Sequence, residues 1–196
     1  MILPIVAYGD SVLKKKAVNV DKHHLNLKEL ISDMWETMYA AHGVGLAAPQ
    51  IGESLRLFIV DGSPFAQDKS LGYVEQKELR TFKKVFINPE IISYNGLKES
   101  FNEGCLSIPD VREDVTRVSA IEIVYYNEQF EKVEEEITGL AARIVQHEFD
   151  HIEGILFTDK LGTLKKKLLK PKLTQISRGN IKPDYLMRFP NKSNIR

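Results

Sequence analysis

Residues 138–153, Thr-Gly-Leu-Ala-Ala-Arg-Ile-Val-Gln-His-Glu-Phe-Asp-His-Ile-Glu, constrain this chain more than any other stretch. Leu140, Ile144, Val145 and Ile152 recur at helical spacing, and Thr138 stands as an N-cap before a run of good helix formers. Inside the expected helix lies His147-Glu148-Phe149-Asp150-His151, the H-E-x-x-H pattern. Four residues of helix turn by about 400° and rise about 6 Å, so both imidazoles leave one face, a turn apart. Such a pair can bind one metal ion while Glu148, a step round the helix, faces a water on it. The same residues also make an ordinary solvated face, and the pattern arises by chance in many chains. A metal reading therefore requires a third ligand.

Whatever surrounds the helix is limited by size and charge. A chain of 196 residues fits one domain, expected here over 1–196, with a core of real size. Lys plus Arg and Asp plus Glu are both 27, a balance that argues against a general DNA or polyanion binder. No stretch approaches the ~20 apolar residues of a membrane span. Pro4 interrupts the apolar start, and Lys14-Lys15-Lys16 follows it, which is the wrong order for a signal segment. The expected location is cytoplasmic. One cysteine, Cys105, excludes an intrachain disulfide.

Residues 1–23 read as an irregular arm. Asn26 with Glu29 resembles a capping box, and Leu27, Leu30, Ile31, Met34 and Met38 predict a helix to about residue 41. It stops at His42-Gly43-Val44-Gly45, and 46–50 reads as too short and proline-broken for a regular element. A strand is expected at 57–61, then a polar, irregular excursion over 62–80. Short strands at 81–87 and 91–94 flank Asn88-Pro89, and 115–126 and 130–137 form a hairpin. After the signature helix, 161–169 predicts a lysine-rich helix ended by Pro171, and the last 25 residues an extended tail. The sum is an α+β fold: antiparallel sheet packed around the central H-E-x-x-H helix, with an amphipathic N-terminal helix and a variable C-terminal part.

Gly154 stands where some zinc proteases continue their motif, but Phe157 occupies the position of their third histidine. Downstream acids Glu153, Asp159 and Asp184 lie in no plausible ligand helix, and His23, His24 and His42 read as surface or helix-end residues. Cys105, in Glu103-Gly104-Cys105-Leu106-Ser107-Ile108-Pro109, remains. A lone cysteine is commonly a small buried hydrophobe. As a thiolate it would complete a Cys-His-His set with an open fourth position, the composition of a catalytic site.

Three blocks now stand in order: Gly43-Val44-Gly45-Leu46-Ala47-Ala48-Pro49-Gln50, Glu103-Gly104-Cys105-Leu106-Ser107, and Gln146-His147-Glu148-Phe149-Asp150-His151. Together they resemble the signature blocks of the peptide deformylases, over residues 1 to about 160. The resemblance implies a hydrolase of a linear amide that removes the formyl group from the N-terminal formylmethionine of new polypeptides. It implies Fe2+ as the metal, with Zn2+, Ni2+ or Co2+ as substitutes, held by Cys105, His147 and His151. Metal-activated hydroxide would attack the formyl carbon with Glu148 as general acid/base. Gln50 and the backbone N–H of Leu106 would serve as oxyanion donors. Gly43 and Gly45 would let an extended peptide pair with the backbone. Val44, Phe101, Leu140 and Ile144 correspond to the wall of the methionine pocket, or are simply core. Arg143 departs from the apolar residue of some relatives; it can trim the pocket rim, pair with Glu103 or face solvent. The lysines of 160–172 read as a solvated face, or as a contact with the ribosome. Against the deformylase stand a zinc endopeptidase, which leaves Cys105 and Gln50 unexplained, and a non-catalytic metal-stabilised binding module.

Overall fold

The computed structural model describes residues 1–190. Its elements are β1 (Ile5–Val6), α1 (Leu27–Ala40), β2 (Gly45–Ala47), β3 (Leu57–Asp61), α2 (Tyr73–Thr81), β4 (Lys83–Cys105), β5 (Ile108–Tyr126), β6 (Lys132–Thr138), α3 (Gly139–Ile152), α4 (Thr163–Ser177) and β7 (Met187–Arg188), with short 3-10 turns between. Strands β2-β3-β4-β5-β6 form one antiparallel sheet in that order, and β1 pairs in parallel with β7.

The alternation of side chains along β3 explains the layering. Phe58 and Val60 point to one face and pack with Leu140, Ala142 and Val145 of α3. Leu57 and Ile59 point to the other and meet Ile31, Met34 and Met38 of α1. A one-residue slip of this strand would exchange the two sets between differently packed faces, so packing on both sides fixes its register under the helix. Each fully buried Phe or Leu here contributes roughly 1.5–3 kcal/mol. A third cluster joins Val111 and Val115 of β5 to Leu173 and Ile176 of α4.

Several elements differ from expectation. Asn88-Pro89 does not separate two strands; β4 runs through it by a register shift between Ile87 and Glu90. Asn88 turns left-handed (φ 49°), and its side chain replaces the missing ladder by bonding Val20 N–H (2.7 Å) and Val20 O (2.9 Å). The partner strand begins at Ile108 rather than 115, so the two strands reach Cys105 as a long hairpin. Its other neighbour starts at Lys132, because Phe130 is left-handed (φ 58°) and still part of the turn. Residues 46–50 are regular after all: β2 leads into a 3-10 turn with Pro49 near its start.

The 62–80 excursion contains α2, whose residues are good helix formers but bury only Leu79, so no apolar period marks it. Asn26 is left-handed (φ 62°) and makes no side-chain cap; only its carbonyl accepts, from Leu30 N–H at 2.9 Å. Thr138 sits at the N-cap of α3 without a capping bond. Glu75 of α2 takes over that task, its Oε1 accepting from Leu140 N–H at 2.7 Å. Pro171 lies inside α4, where burial of Leu173 and Ile176 beyond it outweighs the interruption. The expected extended tail over the last 25 residues is not what forms at its start, since residues 172–177 complete α4; only β7 is extended strand, and residues 191–196 lie outside the described ones.

Four of the lysines of 160–172 reach groups of the chain itself. Lys160 contacts Asp150 (3.1 Å), Lys165 contacts Glu113 (2.7 Å), Lys166 donates to Asp159 O (2.7 Å), and Lys172 donates to Asp110 O. No helix among the described residues is long and apolar enough to cross a membrane.

Candidate metal centre and active-site cleft

Helix α3 presents His147 and His151 one turn apart, ring centroids 5.1 Å from each other, as the spacing requires. Cys105 arrives from β4. It pairs with Ile108 across a two-residue turn, Leu106-Ser107, which drives its half-buried side chain towards the helix. Sγ lies 3.2 Å from His151 Nε2, and the ligand atoms of Cys105, His147 and His151 all fall within 4.8 Å of one another.

Behind the donors is a buried ionic network. Glu103 Oε2 accepts from His147 Nδ1 at 3.1 Å, which leaves Nε2 of that ring for the centre. Arg117 forks onto the same carboxylate through Nε (2.8 Å) and Nη2 (3.0 Å), and its Nη1 donates to Asp150 (2.7 Å). Arg143 donates to Glu103 Oε1 at 2.8 Å, and also to Val115 O and Glu99 O, with its guanidinium over the Phe101 ring. Of the three readings open for Arg143, the pairing with Glu103 is realised and the residue also borders the cleft, while it does not face solvent. Burial alone would raise the Glu103 carboxyl, but hydrogen bonds from His147 and Arg117 outweigh it and hold the group well below the ordinary carboxylate range.

Burial opposes protonation of His147, yet its bonds to Cys105 and Glu103 push it up to about 10. Burial, then the charges of His147 and Arg117, drive His151 well below its usual value. The proton His147 would hold and a metal ion compete for one lone pair, so loading with metal expels that proton. The donor set fits a divalent cation: one cysteine sulfur and two imidazoles converge with their ligand atoms within 4.8 Å of one another.

Glu148 is 4% exposed. Burial raises its carboxyl to about 7, with His147 and Arg117 pulling the other way, and its Oε2 has no hydrogen-bond partner. A group with that affinity for protons suits a general base near neutrality. Gly45 of the edge strand β2 explains how it fits: a Cβ there would lie 2.3 Å from Glu148 Oε1. Gln50 is held just as closely. Its Oε1 accepts from Ala47 N–H (2.8 Å), which turns the amide nitrogen towards Cys105 Sγ and Ser107 Oγ, both 3.5 Å away.

A cleft of about 550 Å³ opens over these groups. Gly43, Val44, Gly45, Gln50, Cys105 and Leu106 line it. Phe101, Leu140, Ile144, His147 and Glu148 line it as well. Of the residues chosen from sequence only His151 stays outside the lining, 1% exposed behind Cys105. Leu140 and Ile144 belong both to the wall and to the core cluster under it, so the two readings for them merge. Sequence reasoning missed Arg117 and Asp150, which nothing local distinguishes from strand and helix charges. It also missed Phe65 and the C-terminal residues Lys182–Tyr185, brought to the cleft from afar.

A Cys-His-His set with a buried, proton-seeking carboxylate beside it at the floor of an open cleft defines a mononuclear metallohydrolase. The comparisons narrow that class. The family model of the polypeptide deformylases matches residues 2–167. The peptide deformylase of Christiangramia forsetii is 59% identical over 196 residues, all of both chains. The crystal structure of a peptide deformylase from Legionella pneumophila superposes with a TM-score of 0.76 at 38% identity, covering 92% of this chain and 98% of that one. A class I type b peptide deformylase from Acinetobacter baumannii, bound to Met-Ala-Ser, superposes with a TM-score of 0.72 at 36% identity, covering 82% and 99%. The chain belongs to the polypeptide deformylase family.

Proposed function

We propose that this chain hydrolyses the formyl amide of N-formylmethionyl nascent peptides, consuming one water and yielding formate and a free N-terminal amine. The observation that carries the reading is the convergence of Cys105, His147 and His151 beside the buried Glu148, at a cleft edged by Gly45. Cys105 Sγ and the two imidazoles would hold the ion. Ferrous iron is the proposed resident on family grounds, with zinc, nickel or cobalt able to replace it, since the donor set suits each. When bound, the ion supplies Lewis acidity that brings the ionisation of water towards neutral pH.

The chain's own groups do the rest. Glu148 accepts a proton from the attacking water and delivers it to the departing amine nitrogen. The Gln50 amide, locked by Ala47, and the Leu106 N–H would receive the negative charge that develops on the formyl oxygen. One such donor is typically worth roughly 3–4 kcal/mol of transition-state stabilisation. The outer edge of β2 offers its main chain to an extended substrate, with Gly43 and Gly45 permitting close approach. Val44, Phe101, Leu140 and Ile144 would take the methionine side chain. The Acinetobacter baumannii neighbour bound to Met-Ala-Ser supports a methionyl peptide as the product class.

Loading the protein anaerobically with Fe2+ and measuring formate from formyl-Met-Ala-Ser tests the reading. Formate release is expected. A folded, iron-loaded chain that cleaves internal peptide bonds instead would make it an endopeptidase. One that does neither would make the site a structural clip.

A further inference from the structure

The turn that carries both Cys105 and Leu106 is held from outside the part of the chain that the family model matches, which ends at residue 167. Tyr185 Oη donates to Leu106 O at 2.7 Å, across 79 positions of sequence. Its ring packs with Leu106 in the cluster under α1, and Met187 joins it there. The segment is anchored by the β1–β7 ladder, where Ile5 N–H donates to Leu186 O and Ala7 N–H to Arg188 O, both at 2.9 Å. One residue beyond that ladder, Tyr8 N–H donates to Ser107 O at 2.8 Å. Both ends of the chain therefore grip the same two-residue turn.

The consequence lies in which groups remain free to move. Ser107 is fully buried, with its carbonyl on Tyr8 and its hydroxyl near the Gln50 amide. The Leu106 carbonyl is held by Tyr185, and both residues line the cleft. The Leu106 N–H belongs to the neighbouring Cys105–Leu106 peptide and meets the clamped carbonyl at the Leu106 Cα, so a shift of the turn backbone at Leu106 would displace that N–H as well. A displacement of about 1 Å at a reacting centre costs on the order of 100-fold in rate. Lys182, Pro183 and Asp184 stand beside Tyr185 along the cleft, so the segment is in contact with the site it would organise.

We infer that Tyr185 is a positioning residue for deformylation, acting through the Leu106 carbonyl to hold the oxyanion donor in register with the metal centre. The inference rests on the deformylase reading of the site. It makes the C-terminal segment part of the catalytic unit.

Tyr185→Phe is the direct test, because it keeps the ring and removes only the hydroxyl. In the iron-loaded protein acting on formyl-Met-Ala-Ser, kcat is expected to fall roughly tenfold, the upper range for one net hydrogen bond. KM should stay within about twofold and iron content unchanged, since neither the methionine pocket nor the ligands are touched. Leu186→Ala, an exposed neighbour pointing away, is the control for local packing and should match the parent. Assays run well below both melting midpoints, which separates loss of positioning from loss of fold. A Tyr185→Phe protein with parental kcat, or one whose loss lies in KM or iron content, overturns the inference while leaving deformylase activity intact. An inactive iron-loaded parent overturns the deformylase reading and this inference with it.

Discussion

Beneath the floor of the cleft, Glu103, Arg117, Arg143 and Asp150 form a buried network of four charges, with the Arg117 and Glu103 side chains only 2% and 6% exposed. At the rim, Phe101 is 39% exposed and Lys182 and Asp184 face solvent. The floor is rigid because its charges share partners in one buried network, so moving any group breaks pairs of its neighbours. The rim has no such penalty and relies on backbone anchors such as Tyr185 on Leu106. Substitutions at the floor should therefore cost fold, metal and rate together, whereas those at the rim should cost rate alone.

Three variants can break that division. Gly45→Ala lies at the boundary and should have the largest effect on catalysis. Its Cβ would overlap Glu148 Oε1, displacing the carboxylate by the order of 1 Å and lowering kcat on the order of 100-fold. Metal content should persist, as measured by atomic absorption; an active Gly45→Ala would show that the Glu148 position is not critical. Glu103→Gln strikes the floor. Among the described residues it removes the only carboxylate partner of Arg143 and one of the two of Arg117, and loosens His147, so stability should fall by about 3–5 kcal/mol and metal affinity by roughly 10- to 100-fold. Urea melts and competition with a chelator read both, and a change in only one would separate the network's two roles. Tyr185→Phe, with its roughly tenfold loss confined to kcat, is the smallest and is the rim's own signature.

The same division decides what the sequence disclosed. His147, Glu148 and His151 are legible because four residues of helix fix their geometry locally, and Cys105 because it alone could complete them. Val44, Gly45 and Gln50 became legible through the resemblance of their block. Arg117 was not, since its partners Glu103 and Asp150 lie 14 and 33 positions away and each alone reads as a surface charge. Helix α2 was hidden by its single buried residue, and the full length of α4 by Pro171, where packing prevails over propensity. Glu75, far from the motif, caps the signature helix in place of Thr138. Periodicity reports what one element buries; it is silent about contacts between elements that only the fold brings together.

The central claim is that Glu148 moves the proton. The most direct measurement is the pH dependence of formate release, in kcat/KM, for the iron-loaded parent and Glu148→Ala. The base must be ionised, and burial raises it from 4.5 to about 7 while a bound cation favours the charged form. Parental activity should therefore fall tenfold per pH unit on the acid side, with a midpoint no higher than about 7. Glu148→Ala should keep its iron, lose roughly 10²- to 10⁴-fold in rate and lack that limb. An iron-loaded Glu148→Ala protein with near-parental activity, or with the same acid limb, would contradict the account.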